Sequence, residues 1–450
     1  MTGKEKSRRA YIKATGAAGV AGLTGLSGCI GSLTGEGSQE TTTEEEQETS
    51  GGDDTTTSGD DEQDQGGQPI QMGSILPITG SLSAYGAGMQ KAVNLAAQHI
   101  NDAGGPLGRQ VQVTNKDSET KPAKATQKYR TLVNEQGIIG FVGAASSGVS
   151  VPLAQQIAAD KVMQVSNAST TPALAEIGYN DDESVKYFGR TAPNDGQQGI
   201  VMGRIMNESD YIGADKAAFL YVNNAYGEGL AEKASAAFDG EEVGMVPYDK
   251  KSSDYTSTLD KLFENDPDAI GFVGYPGNGK TILQQWSNGG YGGEWVLSEG
   301  LNSSQFFQDL SDITDGMYVA SPSPESTQSS DTFDEAMGDQ AGTLFAPHAY
   351  DGLFLQALAM HKAGEASGTA IAENIRSVSR PGGEKVYAGE FEKAKRLLDE
   401  GTEIDYQGAS SPVDMNKSLE PLNRFAVMQV SGGETEELEA IERSWFEGKL

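Results

Sequence analysis

The sequence predicts an α/β protein, parallel sheets covered by helices, with chain enough at 450 residues for two ordinary domains. Two observations predict it. Short apolar runs suited to buried parallel strands alternate with segments whose apolar residues recur at helical spacing, and this alternation restarts after Thr191-Ala192-Pro193. The stretch 138–174 shows the pattern most clearly and also carries the chemistry. It reads as a strand over 138–142, a small polar loop over 143–148, a helix with Pro152 in its first turn and Val151, Leu153, Ala154, Ile157 and Ala158 along it, a strand over 163–165, and the loop Asn167-Ala168-Ser169-Thr170-Thr171-Pro172. Neighbouring strands therefore end in hydroxyl-rich loops. Ligands of open α/β sheets bind beyond the carboxyl ends of the strands. Free N–H groups at a helix start favour an anion, and Ser and Thr hydroxyls add donors. These residues suit a small carboxylate held by Ser147, Thr170 and backbone amides; the same residue types also serve as N-caps and turn formers.

Taken in order, residues 1–29 read as an export signal. Ser7-Arg8-Arg9-Ala10-Tyr11-Ile12-Lys13 matches the twin-arginine pattern, and the Ala- and Gly-rich stretch after it is too short and too weakly apolar to anchor a helix in a membrane. Leu26-Ser27-Gly28-Cys29 matches a lipoprotein signal box, which assigns Cys29 to lipidation after cleavage. One lipid chain anchors only marginally, so two or more are expected. Residues 30–68 are low in complexity, acidic and devoid of Lys and Arg. Such a segment buries too little apolar surface to offset its ordering entropy, and it is expected to be a disordered tether of roughly 35 Å as a plain coil.

The folded part begins near Pro69. Strands are expected over 70–76 and 109–114, separated by a loop over 79–88 containing Tyr85 and a helix over 89–103 that ends at Gly104-Gly105. A helix over 122–135 leads into the stretch described above. The second series has strands over 217–222, 243–246, 269–273, 294–297 and 317–320, with helices over 200–207, from the loop after Asn223 to 238, over 255–264 and over 280–286. Ser321-Pro322-Ser323-Pro324 reads as a linker. Helices dominate beyond it, at 333–338, 350–362, 370–377 and 391–398; short strands are expected around Val413 and over 424–430, and the acidic C-terminus is expected to fray.

Asp and Glu number 65 against 33 Lys and Arg, a formal net charge of −32. That excludes nucleic acid, polyanionic substrates and adhesion to anionic membranes. The excess persists through the folded part and resembles proteins of salt-loving archaea, where charge is heavily screened. A single cysteine excludes an intrachain disulfide, zinc clusters and thiol catalysis in the body. His99, His348 and His361 show no metal-ligand spacing and are expected at the surface or its boundary. No G-x-S-x-G elbow and no arguable Ser-His-Asp set is present, so no catalytic residue, cofactor or metal is expected.

Several loops line up with a family. Thr79-Gly80-Ser81-Leu82-Ser83-Ala84-Tyr85-Gly86, the Ser146-Ser147 loop, Ala168-Ser169-Thr170-Thr171-Pro172-Ala173-Leu174, Ala225-Tyr226-Gly227-Glu228-Gly229, Gly274-Tyr275-Pro276 and Ser298-Glu299-Gly300 occur in the order found in Leu/Ile/Val-binding proteins. Over about residues 69–430 the chain resembles these type I periplasmic-type binding proteins of branched-chain amino acid ABC importers. The resemblance implies two doubly wound lobes joined by a three-segment hinge, lobe 1 taking 69–191 and 323–416 and lobe 2 taking 192–322 and 417–450. It implies a ligand carboxylate on Ser147 and Thr170, with Ser146 and Ser169 completing that loop set, and a ligand ammonium on the Ala168 carbonyl and Glu299. Tyr85, Tyr226 and Tyr275 would line or close the cleft. The expected ligand is an amino acid, branched-chain or otherwise apolar. The other expected partners are a membrane permease and, through the lipid anchor on the extracellular face, the membrane; the chain is expected to be a monomer and to bind no nucleic acid. Some relatives take urea, short amides or aromatic acids, which are the alternative ligands. The chain lacks the small disulfide some relatives carry beside the serine loop, and Ser147-Gly148-Val149-Ser150 has fewer hydroxyls than their pattern.

A rival motif is present. Gly274-Tyr275-Pro276-Gly277-Asn278-Gly279-Lys280-Thr281 fits the phosphate-loop pattern G-x-x-x-x-G-K-[ST] between an expected strand and helix. Against nucleotide binding stand the export signal, which places the chain away from ATP, and a net charge that repels polyphosphate. The anchor reading has a direct test: Cys29→Ser is expected to release the protein into the medium or block its maturation, measured by fractionating membranes from culture supernatant.

Overall fold

The structure, a computed structural model, describes residues 67–449. The export signal, Cys29 and nearly all of the expected tether lie outside the described residues.

β1 (Ile70–Leu76), β2 (Val111–Asp117), β3 (Gly140–Gly143), β4 (Met163–Ser166) and β5 (Phe188–Arg190) form a five-stranded parallel sheet in the order β2-β1-β3-β4-β5. β3 and β4 are buried along their whole length, as strands covered on both faces must be. β6 (Lys216–Val222), β7 (Glu241–Tyr248), β8 (Ala269–Val273), β9 (Glu294–Ser298) and β10 (Tyr318–Pro322) form the parallel part of a second sheet. β11 (Glu384–Tyr387) and β12 (Ile404–Gln407) make a small parallel pair. β13 (Phe425–Ser431) and β14 (Glu434–Ile441) then add antiparallel strands beside β10, giving the seven-stranded order β14-β13-β10-β9-β8-β6-β7.

The strand orders decide where a ligand can bind. β1 has β2 on one side and β3 on the other, and β6 has β7 and β8. The helical connections leave these strands in opposite directions, which opens a crevice at their carboxyl ends. The helix Ala346–Ala363 follows β10 in sequence but packs on the helix Ser83–Asp102 and on β3 and β4, so the chain returns to the first sheet. Its residues 346–360 are all buried, the mark of a helix with no solvent face.

Several local expectations change. Tyr85 lies not in a loop but in the first turn of the helix Ser83–Asp102. Pro152 lies inside the helix Ser147–Ala154 rather than at its start; lacking an N–H, it weakens the ladder, and the chain re-enters a helix only at Ile157. The helix expected from residue 200 starts at Asp195, with Asn194 accepting from the Gly196 N–H at 2.9 Å. Ser321 and Pro322 end β10 instead of forming a linker. Val413 carries a positive φ of 50° and no strand; β11 and β12 stand where none were expected. The second sheet is mixed, not purely parallel. The C-terminus is not frayed: β14 pairs with β13, and Phe446 is buried. Its glutamates hid the strand because they line the sheet's solvent edge, where charge also prevents pairing with other chains. His348 is buried rather than at the boundary.

A buried ion pair ties the connecting segments to the first sheet. The guanidinium of Arg190, the last residue of β5, donates to Glu420 (Nε at 2.9 Å) and to the carbonyls of Ser169 at 3.1 Å and Thr171 at 3.0 Å. Asn194 donates to the other Glu420 oxygen at 3.1 Å. Breaking a buried pair strands the remaining charge, so Arg190→Ala is expected to destabilise the protein by about 3–5 kcal/mol, measured by denaturant unfolding in high salt.

Candidate ligand-binding cleft

Three carboxyl-end segments of the first sheet converge. After β1 come Leu82, Tyr85 and Met89; after β3 come Ala145, Ser146 and Ser147; after β4 comes Ala168. β3 leaves the sheet through Gly143 at φ +124°, where an added Cβ would lie 2.3 Å from the Ile75 carbonyl oxygen, so only glycine permits this turn. From the second sheet come Tyr226 after β6, Tyr275 after β8, and Glu299 with Gly300 after β9. With Leu344 and Phe345 these residues line a narrow cavity of about 20 Å³, far below the roughly 300–1,000 Å³ of ligand sites, so a ligand larger than a few waters needs the walls to part.

Of the expected site residues, Tyr85, Ser146, Ser147, Ala168, Tyr226, Tyr275 and Glu299 line this cavity, while Ser169 and Thr170 do not. The Ser169 hydroxyl lies beneath the loop, 2.9 Å from the Ala144 carbonyl and 2.8 Å from Ser150 Oγ. The Thr170 and Thr171 amides, candidates for the carboxylate, instead donate to Ser147 Oγ at 3.1 and 3.2 Å. With its lone pairs so occupied, the Ser147 hydroxyl is left to donate its own proton. Thr170 Oγ1 is buried and finds no partner among the described residues.

The lobes touch across the cleft. Tyr85 donates to the Gly300 carbonyl at 3.1 Å, and Ser146 Oγ lies 3.0 Å from the Tyr275 hydroxyl, to which Asn224 also donates at 3.3 Å. The rings of Tyr226 and Tyr275 stack at 5.5 Å and 11°. Burial pushes the Tyr275 hydroxyl up to about 12, so it stays protonated and able to donate.

The opposite pole is acidic. Glu299 is buried, and Tyr226 donates to its Oε2 at 2.8 Å. Burial pushes its carboxyl up to about 7, against the hydrogen bond from Tyr226. A second carboxylate was missed in the sequence. Asp195 has no exposure, its N–H donates to the Thr170 carbonyl at 2.9 Å, and neither carboxylate oxygen finds a partner among the described residues. Burial first, and the Glu299 charge second, push it well above the usual carboxylate range, opposed by the nearby Thr170 hydroxyl, whose geometry falls short of a hydrogen bond. Asp195 was hidden because apolar periodicity begins only later in its helix; the cap-and-acid pair Asn194-Asp195 was the signal that could have found it. The apolar wall of Leu82, Met89, Leu344 and Phe345 was also missed. Phe345 takes a left-handed φ of 60°, a strained choice for a non-glycine residue that no sequence pattern announces.

The family model described as periplasmic binding protein matches residues 69–395. The chain belongs to the periplasmic binding protein family. Its members are substrate-binding proteins, not enzymes, and its fold is the two-lobed type I α/β fold. The chain is 34% identical over 383 residues to the chemotactic signal transduction system substrate-binding protein BasB of Halobacterium salinarum, covering 84% of this chain and 91% of that one. It is 26% identical over 310 residues to the leucine-, isoleucine-, valine-, threonine- and alanine-binding protein of Pseudomonas aeruginosa, covering 67% and 80%. Among solved structures it resembles LivJ of Streptococcus pneumoniae in complex with isoleucine, with a TM-score of 0.68, 23% identity, and 83% and 98% of the two chains covered. It also resembles a Rhodopseudomonas palustris solute-binding protein in complex with benzoate, with a TM-score of 0.64, 17% identity, and 83% and 96% covered.

In this member of the periplasmic binding protein family the phosphate-loop pattern is put to another use. Tyr275 caps the helix Pro276–Gly289 and faces the cleft, and an added Cβ on Gly277 would lie 3.3 Å from the Ser81 backbone of the first lobe. Lys280 pairs with Asp309 at 2.9 Å, both half exposed, instead of turning back over the loop. Among the described residues no group is suited to a metal, and no helix is long and apolar enough to cross a membrane. Lys280→Ala is expected to leave ligand affinity within about twofold of the parent, since an exposed pair contributes about 0–1 kcal/mol; titration calorimetry of both proteins, with ATP as a control ligand, checks it.

Proposed function

We propose that this protein captures an α-amino acid with an apolar side chain in the cleft and presents it, closed, to a membrane partner. The observation that carries the proposal is the buried Glu299 on one lobe facing the hydroxyl-rich loops of the other. A carboxylate enclosed at that depth needs an opposite charge with donors, and an ammonium group supplies both. The ligand carboxylate goes to Ser147 with Ser146, supported from behind by the Thr170 loop; the ammonium goes to Glu299 and the Ala168 carbonyl; the side chain meets Leu82, Met89, Leu344 and Phe345. Tyr85, Tyr226 and Tyr275 close the walls, offering apolar faces and polar tips. Lobe 1 is assigned residues 69–191 and 323–416, lobe 2 residues 192–322 and 417–450, with closure about the three segments between them. The chain acts as a monomer, held to the outer face of the membrane through lipid on Cys29.

The LivJ complex with isoleucine and the Pseudomonas leucine-, isoleucine-, valine-, threonine- and alanine-binding protein support this ligand class. The benzoate complex on the same fold keeps aromatic acids as the rival. A ligand whose only charge is negative would leave Glu299 enclosed beside a second negative group, which weighs against that rival. The membrane partner is an ABC permease in the first reading. The 34% identity to BasB favours a second, in which the closed, loaded protein is read by a chemotactic transducer. Loss of uptake, against loss of attraction with uptake intact, in a deletion strain separates the two.

Hydrogen bonds to a charged group contribute about 1.5–3 kcal/mol. Glu299→Gln is therefore expected to weaken amino acid binding by roughly one to two decades while affecting the deaminated analogue less. Calorimetry in high salt measures both. A parent that prefers the deaminated acid, or a Gln variant as tight as the parent, moves the aromatic-acid or amide reading ahead.

A further inference from the structure

Asn224, just after β6, does not line the cavity, yet it is bonded to a residue that does. Its Oδ1 accepts from the Tyr226 and Gly227 N–H groups at 3.0 and 2.9 Å, which caps the helix Ala225–Ala236. Two backbone donors on one atom identify that atom as the oxygen, so the other side-chain atom is the Nδ2 donor. The cap needs only the oxygen. Nδ2 points elsewhere and donates to the Tyr275 hydroxyl at 3.3 Å. The other side-chain partner of that hydroxyl among the described residues is Ser146 Oγ, 3.0 Å away across the cleft. Asn224 also packs on the serine loop itself: a Cβ built on Gly148 would lie 3.2 Å from Asn224 Cβ. Each hydroxyl in this chain of bonds owns a single proton, and an amide N–H can only donate. Tyr275 therefore receives from Asn224, and its own proton is left for Ser146. Ser146 Oγ then accepts, and its proton is free for the cleft. Ser147 reaches the same state by a separate route, since the Thr170 and Thr171 N–H groups occupy its lone pairs.

We propose that Asn224 is a positioning residue that sets the direction of the hydrogen bonds from Tyr275 to Ser146, so that Ser146 and Ser147 both present protons to the cleft and select a carboxylate over a carboxamide. The proposal rests on the reading that these serines take the ligand's carboxylate. A carboxylate only accepts, and it meets two donors without conflict. A carboxamide presents an oxygen and an NH2, and the NH2 meets a donor at one of the two serines. Donor set against donor forfeits the bond and leaves both groups desolvated. A bond whose donor is itself polarised by a second donor is also strengthened, by about 10–30%. Asn224 and Tyr275 follow β6 and β8, whereas Ser146 follows β3, so the direction is imposed only where the two sides of the cleft meet. Selection of the head group is thereby tied to the closed form.

The test is titration calorimetry in high salt with L-leucine and L-leucinamide on the parent, Asn224→Ser, Tyr275→Phe and the double variant, with a melting curve of each. Serine keeps a capping oxygen but is too short to reach Tyr275, so the helix start is retained and the link is cut. The bond between Tyr275 and Ser146 can then run either way and loses its polarising donor. Asn224→Ser is expected to weaken leucine binding by about three- to tenfold and to leave leucinamide unchanged or tighter. In the Tyr275→Phe background the same substitution is expected to move the leucine-to-leucinamide ratio by less than about twofold, because the path to Ser146 is already gone. An equal ratio in the parent and Asn224→Ser overturns the proposal. So does a fall as large in the Tyr275→Phe background, which places the effect outside the hydroxyl chain. Loss of both compounds alike with a lowered melting temperature assigns Asn224 to the cap alone and overturns it too. A parent that binds leucinamide as tightly as leucine, or binds neither, overturns instead the ligand reading on which the proposal stands.

Discussion

The cleft depends on two strand junctions, β1 beside β3 in one lobe and β6 beside β8 in the other. At each, the helical connections diverge and leave the carboxyl ends uncovered. The lobes present these uncovered edges to each other, so residues following β1, β3, β4, β6, β8 and β9 share one small cavity although their sequence positions run from Leu82 to Gly300. Gly143 is the local condition for this geometry in the first lobe, because β3 turns out of the sheet where any side chain would strike β1.

Within that frame the two lobes contribute opposite chemistry. The first offers the uncharged hydroxyls of Ser146 and Ser147. The second offers Glu299 and the tyrosines. Asp195, at the start of the helix that follows the first sheet, is buried outside the cavity lining. The buried cations near the connecting segments, Arg190 and Lys186, are used to bind backbone carbonyls and Glu420 rather than the ligand. Direct polar links between the lobes at the cavity are few, Tyr85 to Gly300 and Ser146 to Tyr275.

Most of the βα alternation was legible because parallel strands covered on both faces read as plain apolar runs, as in β3, β4 and β8. The Glu-rich β14 was not, because an edge strand facing salt water has no apolar pattern to show. Tyr85 was placed in a loop because its helix starts with small residues before apolar spacing sets in. The phosphate-loop pattern is ambiguous for a related reason: a glycine-rich strand-to-helix turn is a backbone requirement shared by several sites, and the direction of Lys280, paired with Asp309, is what sets this one apart.

The sequence by itself determined the βα series, the hydroxyl-rich loops after β3 and β4, the tyrosines, Glu299, and through them the family. Those signals are local, written in spacing and loop chemistry within a few residues. Tertiary structure alone decided that Ser169 turns away beneath its loop, that the Thr170 amide serves Ser147, that Phe345 and Leu344 close the cavity from a helix start far along the chain, and that Asp195 is fully buried. Each of these is a contact between residues brought together by the sheets. Its energy depends on burial and on which donors have already been taken, and neither is encoded in the neighbours along the chain.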